Sequence, residues 1–499
     1  MELQLKREEL SFLKPVLQEV QELEQTQEVR LPEDMPEVGR ILGAWGQPVM
    51  RSKQWQGSTA ELSAGMMVWV LYIPESGESP RQVEAWIPFR MRWDLPEGCP
   101  DGKLRILILP RFVDARSVSA GKIIIRAGVS ALAEGWCPHR QDYCRAEAVP
   151  KQVELLRRTY PLRLPREAGE KQFQLDEELT LPASAPQPEK LLYYRLDPTV
   201  TDRKVLADKV VFRGSGNLHL CYASGDGQLH TWDFELPFSQ FGELEESHSP
   251  DAQADVLPMV TNLELERDEE GALRMQAGLT AQYLVDDRQL LELTEDAYSP
   301  ERELRLHREE LELPALLESR RENIYGEQTI PGAADLVVDA AVLPDFPRQQ
   351  TVGEDVRLEQ PGMVQVLYYD GNGQLQTASR RWQGSQELKT GETAALSAIP
   401  QPGKEPQVLP GGEEMTVRTE IPLQVRAVSR QGMPMVTGAE LGDPREKDPM
   451  RPSLILRRAS QEGLWELAKA SGSTVDSIRT ANALEGEPEP GRMLLIPVL

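Results

Sequence analysis

Histidine, cysteine and long apolar runs are what this 499-residue chain has least of, and each shortage removes a class of function. Only five histidines occur, His139, His219, His230, His248 and His307, and none stands in an H-E-x-x-H or comparable ligand spacing. Four cysteines are too few for a disulfide scaffold and suit a reducing compartment. Cys137 and Cys144 lie farther apart than the about two to four intervening residues of a zinc pair, and no second pair exists, so this stretch reads as a loop without metal. No Gly-Lys-Ser/Thr follows the glycine turns, so there is no phosphate loop. No two carboxylates are spaced as acid and base, and Asp114 with Arg116 reads as an internal ion pair or turn contact. No run approaches the about 20 apolar residues that cross a bilayer. The opening MELQLKREELSFLKPVLQEV breaks its apolar residues with Lys6, Arg7, Glu8 and Glu9, unlike a secretory signal. The residues therefore offer no catalyst, no metal site and no cofactor site.

Positive charge is also in deficit. Lysine and arginine number 55 against 80 acids, a net charge of −25 that disfavours nucleic acid and, away from local basic spots, anionic lipid. The last 46 residues are nearly neutral, with Arg457, Arg458, Lys469, Arg479 and Arg492 against six acids, so the excess negative charge lies in the rest of the chain.

What the chain has is repetition. Val68-Trp69-Val70-Leu71-Tyr72 recurs 150 residues later as Leu218-His219-Leu220-Cys221-Tyr222, and a further 146 later as Val364-Gln365-Val366-Leu367-Tyr368. The same offsets relate Leu42, Leu192 and Val338, then Leu62, Phe212 and Leu358, then Gly77, Gly227 and Gly373. Ala127-Gly128-Val129 also matches Ala277-Gly278-Leu279. Each copy reads as β-structure: Val68, Val70 and Tyr72 alternate onto one strand face, and Asp226-Gly227 and Asn372-Gly373 supply tight hairpin turns. Helices are expected only as connections, over Pro150 to Arg158, Asp286 to Glu295 and Leu304 to Leu317. The fold class expected is mainly β: three tandem sandwich-like repeats, each burying its own core, then a small βααβ module. The divisions are 1–155, 156–310 and the divergent 311–445, a linker at 446–453, and the module at 454–499.

The repeats resemble a family. Leu31-Pro32, Pro36 and Arg40-Ile41-Leu42, then Val68-x-Val70-x-Tyr72, Ile87-Pro88-Phe89 and Val113-Asp114-Ala115-Arg116-x-Val118-x-Ala120-x-Lys122-Ile123 are similar to the SPOCS domain of spore coat and spore morphogenesis proteins. Copy two keeps Glu177-Glu178-Leu179-x-Leu181-Pro182 and Leu236-Pro237-Phe238, while copy three lacks the Pro-Phe pair.

The end of the chain carries a second resemblance. Leu454-Ile455-Leu456 opens a short strand, and Leu464, Leu467 and Ala468 share one helix face. Gly472 ends that helix, Ser473 or Thr474 can cap the next, and Val475 and Ile478 form its apolar stripe. Met493 to Val498 returns as a strand. Gly463-Leu464-Trp465-x-Leu467-Ala468, Ser473-Thr474-Val475, Asn482-Ala483-Leu484 and Pro490-Gly491-x-Met493-Leu494-x-Ile496-Pro497 resemble LysM domains, which bind chains containing N-acetylglucosamine. Their sugar groove corresponds to Ser460–Leu464 and Asn482–Pro490, with Gln461-Glu462-Gly463 where the family has Gly-Asp-Ser/Thr. The implied partner- or glycan-binding residues are Gly463, Leu464, Trp465, Lys469, Asn482 and Leu484. Trp465 has two readings, a flat face for a sugar or partner and a brace for the first helix; Asn482 is either a ligand contact or a helix cap.

SPOCS repeats before a terminal LysM domain resemble the SipL and SpoVID type of spore coat assembly protein. That resemblance implies a non-enzymatic scaffold in the mother-cell cytoplasm at the forespore surface. Its partners would be the stage IV sporulation protein A-like basement-layer ATPase and other coat proteins. The alternative is a binder of peptidoglycan or its lipid-linked precursor, using the module on glycan.

Overall fold

The structure, a computed structural model, describes residues 4–77, 79–99, 101–148, 152–268, 271–353, 355–389, 394–429, 431–445, 452–460 and 462–498. The chain is mainly β. First come β1 (Gln4–Arg30), β2 (Val38–Gln56), β3 (Thr59–Pro74), β4 (Arg81–Asp94), β5 (Lys103–Ser119) and β6 (Lys122–Ala148). They form two antiparallel sheets, β2-β3-β4 and β1-β6-β5. A second set follows: β7 (Glu154–Leu179), β8 (Pro188–Leu206), β9 (Lys209–Ser224), β10 (Leu229–Glu243), β11 (Gln253–Arg267) and β12 (Leu273–Tyr298). Its sheets are β8-β9-β10 and β7-β12-β11.

The third set is cut into shorter pieces. These are β13 (Arg302–Glu312), β14 (Leu316–Pro331), β15 (Ala334–Pro344), β16 (Arg348–Val352), β17 (Asp355–Asp370), β18 (Leu375–Lys389), β19 (Ala394–Pro400), β20 (Gln407–Gly411), β21 (Glu414–Ser429) and β22 (Gly432–Pro444). Strand β17 pairs with β15, β16 and β18, strand β21 with β14, β19 and β20, and β13 with β22. Strands β2, β8 and β15 open at Val38, Pro188 and Ala334, and β3, β9 and β17 at Thr59, Lys209 and Asp355. Tyr72 and Tyr222 each donate to a proline carbonyl in the connection before β2 or β8, Pro36 at 3.0 Å and Pro186 at 2.9 Å. The β9–β10 and β17–β18 hairpins turn on Gly227 (φ 81°) and Gly373 (φ 74°), a region that costs glycine nothing.

All three segments expected as connecting helices are strands. Of Pro150 to Arg158 the described part leads into β7, Asp286 to Glu295 lies within β12, and Leu304 to Leu317 spans β13 and the start of β14. Leucine and glutamate favour helix in isolation, but that preference is weaker than a paired, half-buried strand. In β12, Leu291 and Leu293 are buried while Leu290 is 68% exposed, and the segment pairs with Tyr160, Arg158 and Pro161 of β7. Of the expected linker, 446–453, only 452 and 453 are described residues.

The first and third sets each keep a core of their own, and further clusters join the sets. Within the first set Val68, Val70, Ile87, Ile106 and Ile125 of both sheets form one cluster. The other face of β3, Trp69 and Leu71, is equally buried, against the second set's core, where Trp69 meets Tyr194 at 4.6 Å and Trp45 stacks on Tyr193 at 4.3 Å. Leu367 and Leu375 of the third set join that cluster. A further cluster gathers Leu10 and Phe12, Leu164 and Leu291, and Leu311 and Met435 from all three sets. Strands buried on both faces lose the clean alternation of a half-exposed sheet.

Charges are buried where the sets meet. Arg105 bonds Glu134 and Asp255 at 2.8 Å each, and Gln282 exchanges two hydrogen bonds with the backbone of Ile106. Burial opposes the Arg105 charge, but the two carboxylates outweigh it and hold its pKa above the usual arginine value. His219 lies between Asp233 at 2.7 Å and Asp339, of the third set, at 3.2 Å. Burial pushes its pKa down, but the two acids win and lift it to about 9. Asp339 also takes the Tyr193 hydroxyl at 2.5 Å; burial would raise it, yet His219 brings it down to about 2. Where β2, β5, β8, β11 and β15 converge, Pro48, Pro198 and Pro344 line an apolar cavity of about 160 Å³.

One cysteine pair departs from the sequence expectation. Cys99, in the β4–β5 connection, is disulfide-bonded to Cys137 of β6, whereas Cys144 and Cys221 are buried free thiols. Cys137 and Cys144 thus sit on a strand, not a loop, and serve different ends.

Candidate functional site

The last 46 residues fold as β23 (Leu454–Arg458), α1 (Leu464–Ser471), α2 (Val475–Asn482) and β24 (Met493–Pro497), with β23 antiparallel to β24. Among the described residues, α1 and α2 are the chain's helices. Gly472 takes the left-handed conformation (φ 59°) that closes α1, and the Thr474 hydroxyl caps α2 by accepting from the Ser477 N–H at 3.1 Å. Leu464, Leu467, Ala468 and Ile478 bury their stripes against Leu494 and Ile496.

The six sequence-predicted residues fall into three separate arrangements. Gly463 precedes α1 with no side-chain cap, and the N–H of Leu464 instead donates to the Glu487 carboxylate at 2.8 Å. Glu487 comes from the loop after α2, so the two loops expected to flank a sugar are tied together by a carboxylate at a helix N-terminus.

Trp465 and Lys469 are brought together, but on the body of the chain. The Trp465 indole N–H donates to Asp296 of β12 at 2.9 Å, and the Lys469 ammonium reaches the same carboxylate oxygen at 2.6 Å. Arg308 of β13 holds the other oxygen. The indole stands edge-on to Tyr298, centroids 4.8 Å apart, and the Tyr298 hydroxyl donates to the Ser473 carbonyl at 2.9 Å. Burial would raise the Asp296 pKa, but Lys469, Trp465 and Arg308 outweigh it and hold it below the usual aspartate value.

Asn482 is spent inside the module. Its amide donates to the carbonyls of Ile478 (2.8 Å) and Leu495 (2.6 Å), and its carbonyl accepts from the Leu495 N–H at 2.8 Å, which fastens α2 to β24. Leu484 is half-buried against the module core, its N–H closing the end of α2 on the Arg479 carbonyl at 3.0 Å. Sequence reasoning missed Asp296, Tyr298 and Glu487. The first two lie more than 150 residues from the module and Glu487 follows Leu464 by 23 residues, so no local pattern marks any of the three.

The free face of the module is its two-stranded sheet. Leu454, Leu456, Met493 and Leu495 are exposed by 51, 63, 47 and 38%, and Leu456 lies directly across from Leu495. Arg458 stands opposite Met493 on the same outer face.

Residues 187–267 match the family model described as SipL, SPOCS domain. The match begins one residue before β8 and ends with the last residue of β11. No curated protein and no solved structure matches the chain.

Proposed function

We propose, with that SPOCS match as premise, that the chain is a non-enzymatic scaffold in assembly of the bacterial endospore coat. On this reading the three β sets are homologous SPOCS-like domains, 1–155, 156–310 and 311–445, and 454–499 is a LysM module turned to protein binding. It works in the mother cell at the forespore surface, joining the basement-layer ATPase to other coat proteins. Several domains offer several binding faces, and linked weak contacts add through effective concentration without a catalytic site.

The observation that carries the contact is the outer face of β23 and β24. Four large apolar side chains exposed on one small sheet support an interaction site there, since isolated exposed residues are ordinary but contiguous ones are not. The glycan alternative would require Glu487 to leave Leu464 and Trp465 to leave Asp296.

The test is a pull-down of the ATPase by the full chain carrying Leu456→Glu and Leu495→Glu. Each leucine would bury about 1.5–3 kcal/mol of apolar surface in the complex, so affinity should fall at least about tenfold. Both positions are exposed, so circular dichroism and the melting temperature should hold. Undiminished capture would remove the contact from this face.

A further inference from the structure

A cleft between the second and third sets collects more cations than the described residues pair. Strand β8 brings Arg203 and Lys204, β14 brings Ser319, Arg320 and Arg321, and β21 brings Arg426, around two adjoining hollows of about 260 and 230 Å³ that share Arg203 and Ser319. Arg426 is bonded to Asp286 at 2.8 Å, and Arg320 is flanked by Glu318 and Glu322 at 2.7 Å each. Arg321 donates to the Val200 carbonyl at 2.8 Å, which supplies no charge. Arg203, half-buried, makes no hydrogen bond or ion pair among the described residues, and neither does Lys204. Asp202 also lines the cleft, and the buried Asp255, which attracts Arg203, is engaged by Arg105 at 2.8 Å.

The corresponding place between the first and second sets is built differently. Lys53 precedes Arg203 by the 150-residue repeat offset, and its ammonium is paired with Glu170 of β7 at 3.0 Å. Burial lowers the Arg203 pKa; the pull of Asp255 opposes it, and the repulsion of Arg321, Arg426 and Arg105 adds to the lowering. Guanidinium groups gathered this way, with Arg203 half-buried, repel one another unless an anion lies among them. A chain of net charge −25 has many acids, yet among the described residues none forms an ion pair with Arg203.

We propose that this cleft binds a phosphate-type oxyanion, held by the Arg203 and Arg321 guanidinium groups with Lys204 and the Ser319 hydroxyl. Guanidinium forks match tetrahedral oxyanions, and the hollows admit a small ligand rather than a polymer, which the acidic surface would repel. Because β8 and β14 belong to different sets, a bound anion joins them.

The experiment titrates inorganic phosphate, and separately glycerol 3-phosphate, into the full chain at fixed ionic strength set with chloride. Binding is followed by calorimetry and by the melting temperature. Phosphate should bind saturably and raise the melting temperature beyond chloride, and Arg203→Gln should weaken binding by at least about tenfold. With the repulsion removed, that variant should melt no lower than the parent in chloride alone. If it misfolds instead, Lys204→Gln combined with Arg321→Gln, on exposed side chains, carries the same test. Tighter glycerol 3-phosphate assigns an esterified ligand, and tighter inorganic phosphate assigns the free ion. A response no larger than chloride, or one unchanged by the substitutions, overturns the proposal.

Discussion

Replacing Asp296 by alanine should release the terminal module from the body of the chain without unfolding either. Asp296 is 16% exposed and takes the Trp465 indole N–H, the Lys469 ammonium and the Arg308 guanidinium. The indole bond is charge-assisted and partly buried, and such bonds contribute about 1.5–3 kcal/mol. Lys469 and Arg308 are 40 and 49% exposed, so their pairs are screened and add about 0–1 kcal/mol each. The docking contact should therefore weaken by about 2–4 kcal/mol, less than a sum because the three share one carboxylate. Tyr298, buried against the module with its hydroxyl on Ser473, limits the loss. Hydrogen exchange is the assay: amides of residues 464–473 and 296–298 should exchange about 30- to 1,000-fold faster through local opening. Amides of β3, which lies far from this contact, should be unaffected. The Asp296 pKa is lowered, so its contribution is present above the ordinary aspartate range and lost as pH falls through the lowered value. Protection unchanged within about threefold, at neutral pH, would refute the assignment of Asp296 as the fastening point.

Two further outcomes test the junctions between sets. Arg105→Ala leaves Glu134 and Asp255 buried without their cation and should cost about 3–5 kcal/mol, read as a lower urea midpoint; a midpoint within error of the parent would show that the pair is not buried in solution. The His219 pKa is raised from 6.5 to about 9, so its stabilisation is complete below pH 6.5 and disappears as pH rises through about 9. His219→Gln should flatten the melting-temperature profile over that window relative to the parent, and parallel profiles would exclude the Asp233–His219–Asp339 bridge.

Much of the fold was readable because strand and turn signals are local. The Val68/Val70/Tyr72 alternation, the Gly227 and Gly373 turns, and the helix signals at Gly472 and Thr474 each involve residues close together in sequence. The expected helices failed where local and non-local preferences conflict: Asp286 to Glu295 is rich in leucine and glutamate, and only its pairing partner in β7 makes it a strand. The site was readable only in part. The motif positions fall in one module, but which of them stay free depended on Asp296 and Glu487, which take up Trp465, Lys469 and the N–H of Leu464.

By itself, then, the sequence determined the β character of the chain, the recurrence of its strands at offsets of 150 and 146, and the strand–helix–helix–strand order of its end. Periodicity and turn chemistry act over a few residues and survive in any context. Tertiary structure alone decided that apolar clusters join the sets beyond their own cores and that Cys99 meets Cys137. It also decided that Arg203 has no ion-pair partner among the described residues and that the exposed face of the module is its sheet rather than its groove. Those outcomes depend on which distant surfaces meet, and burial and charge pairing are settled only after they do.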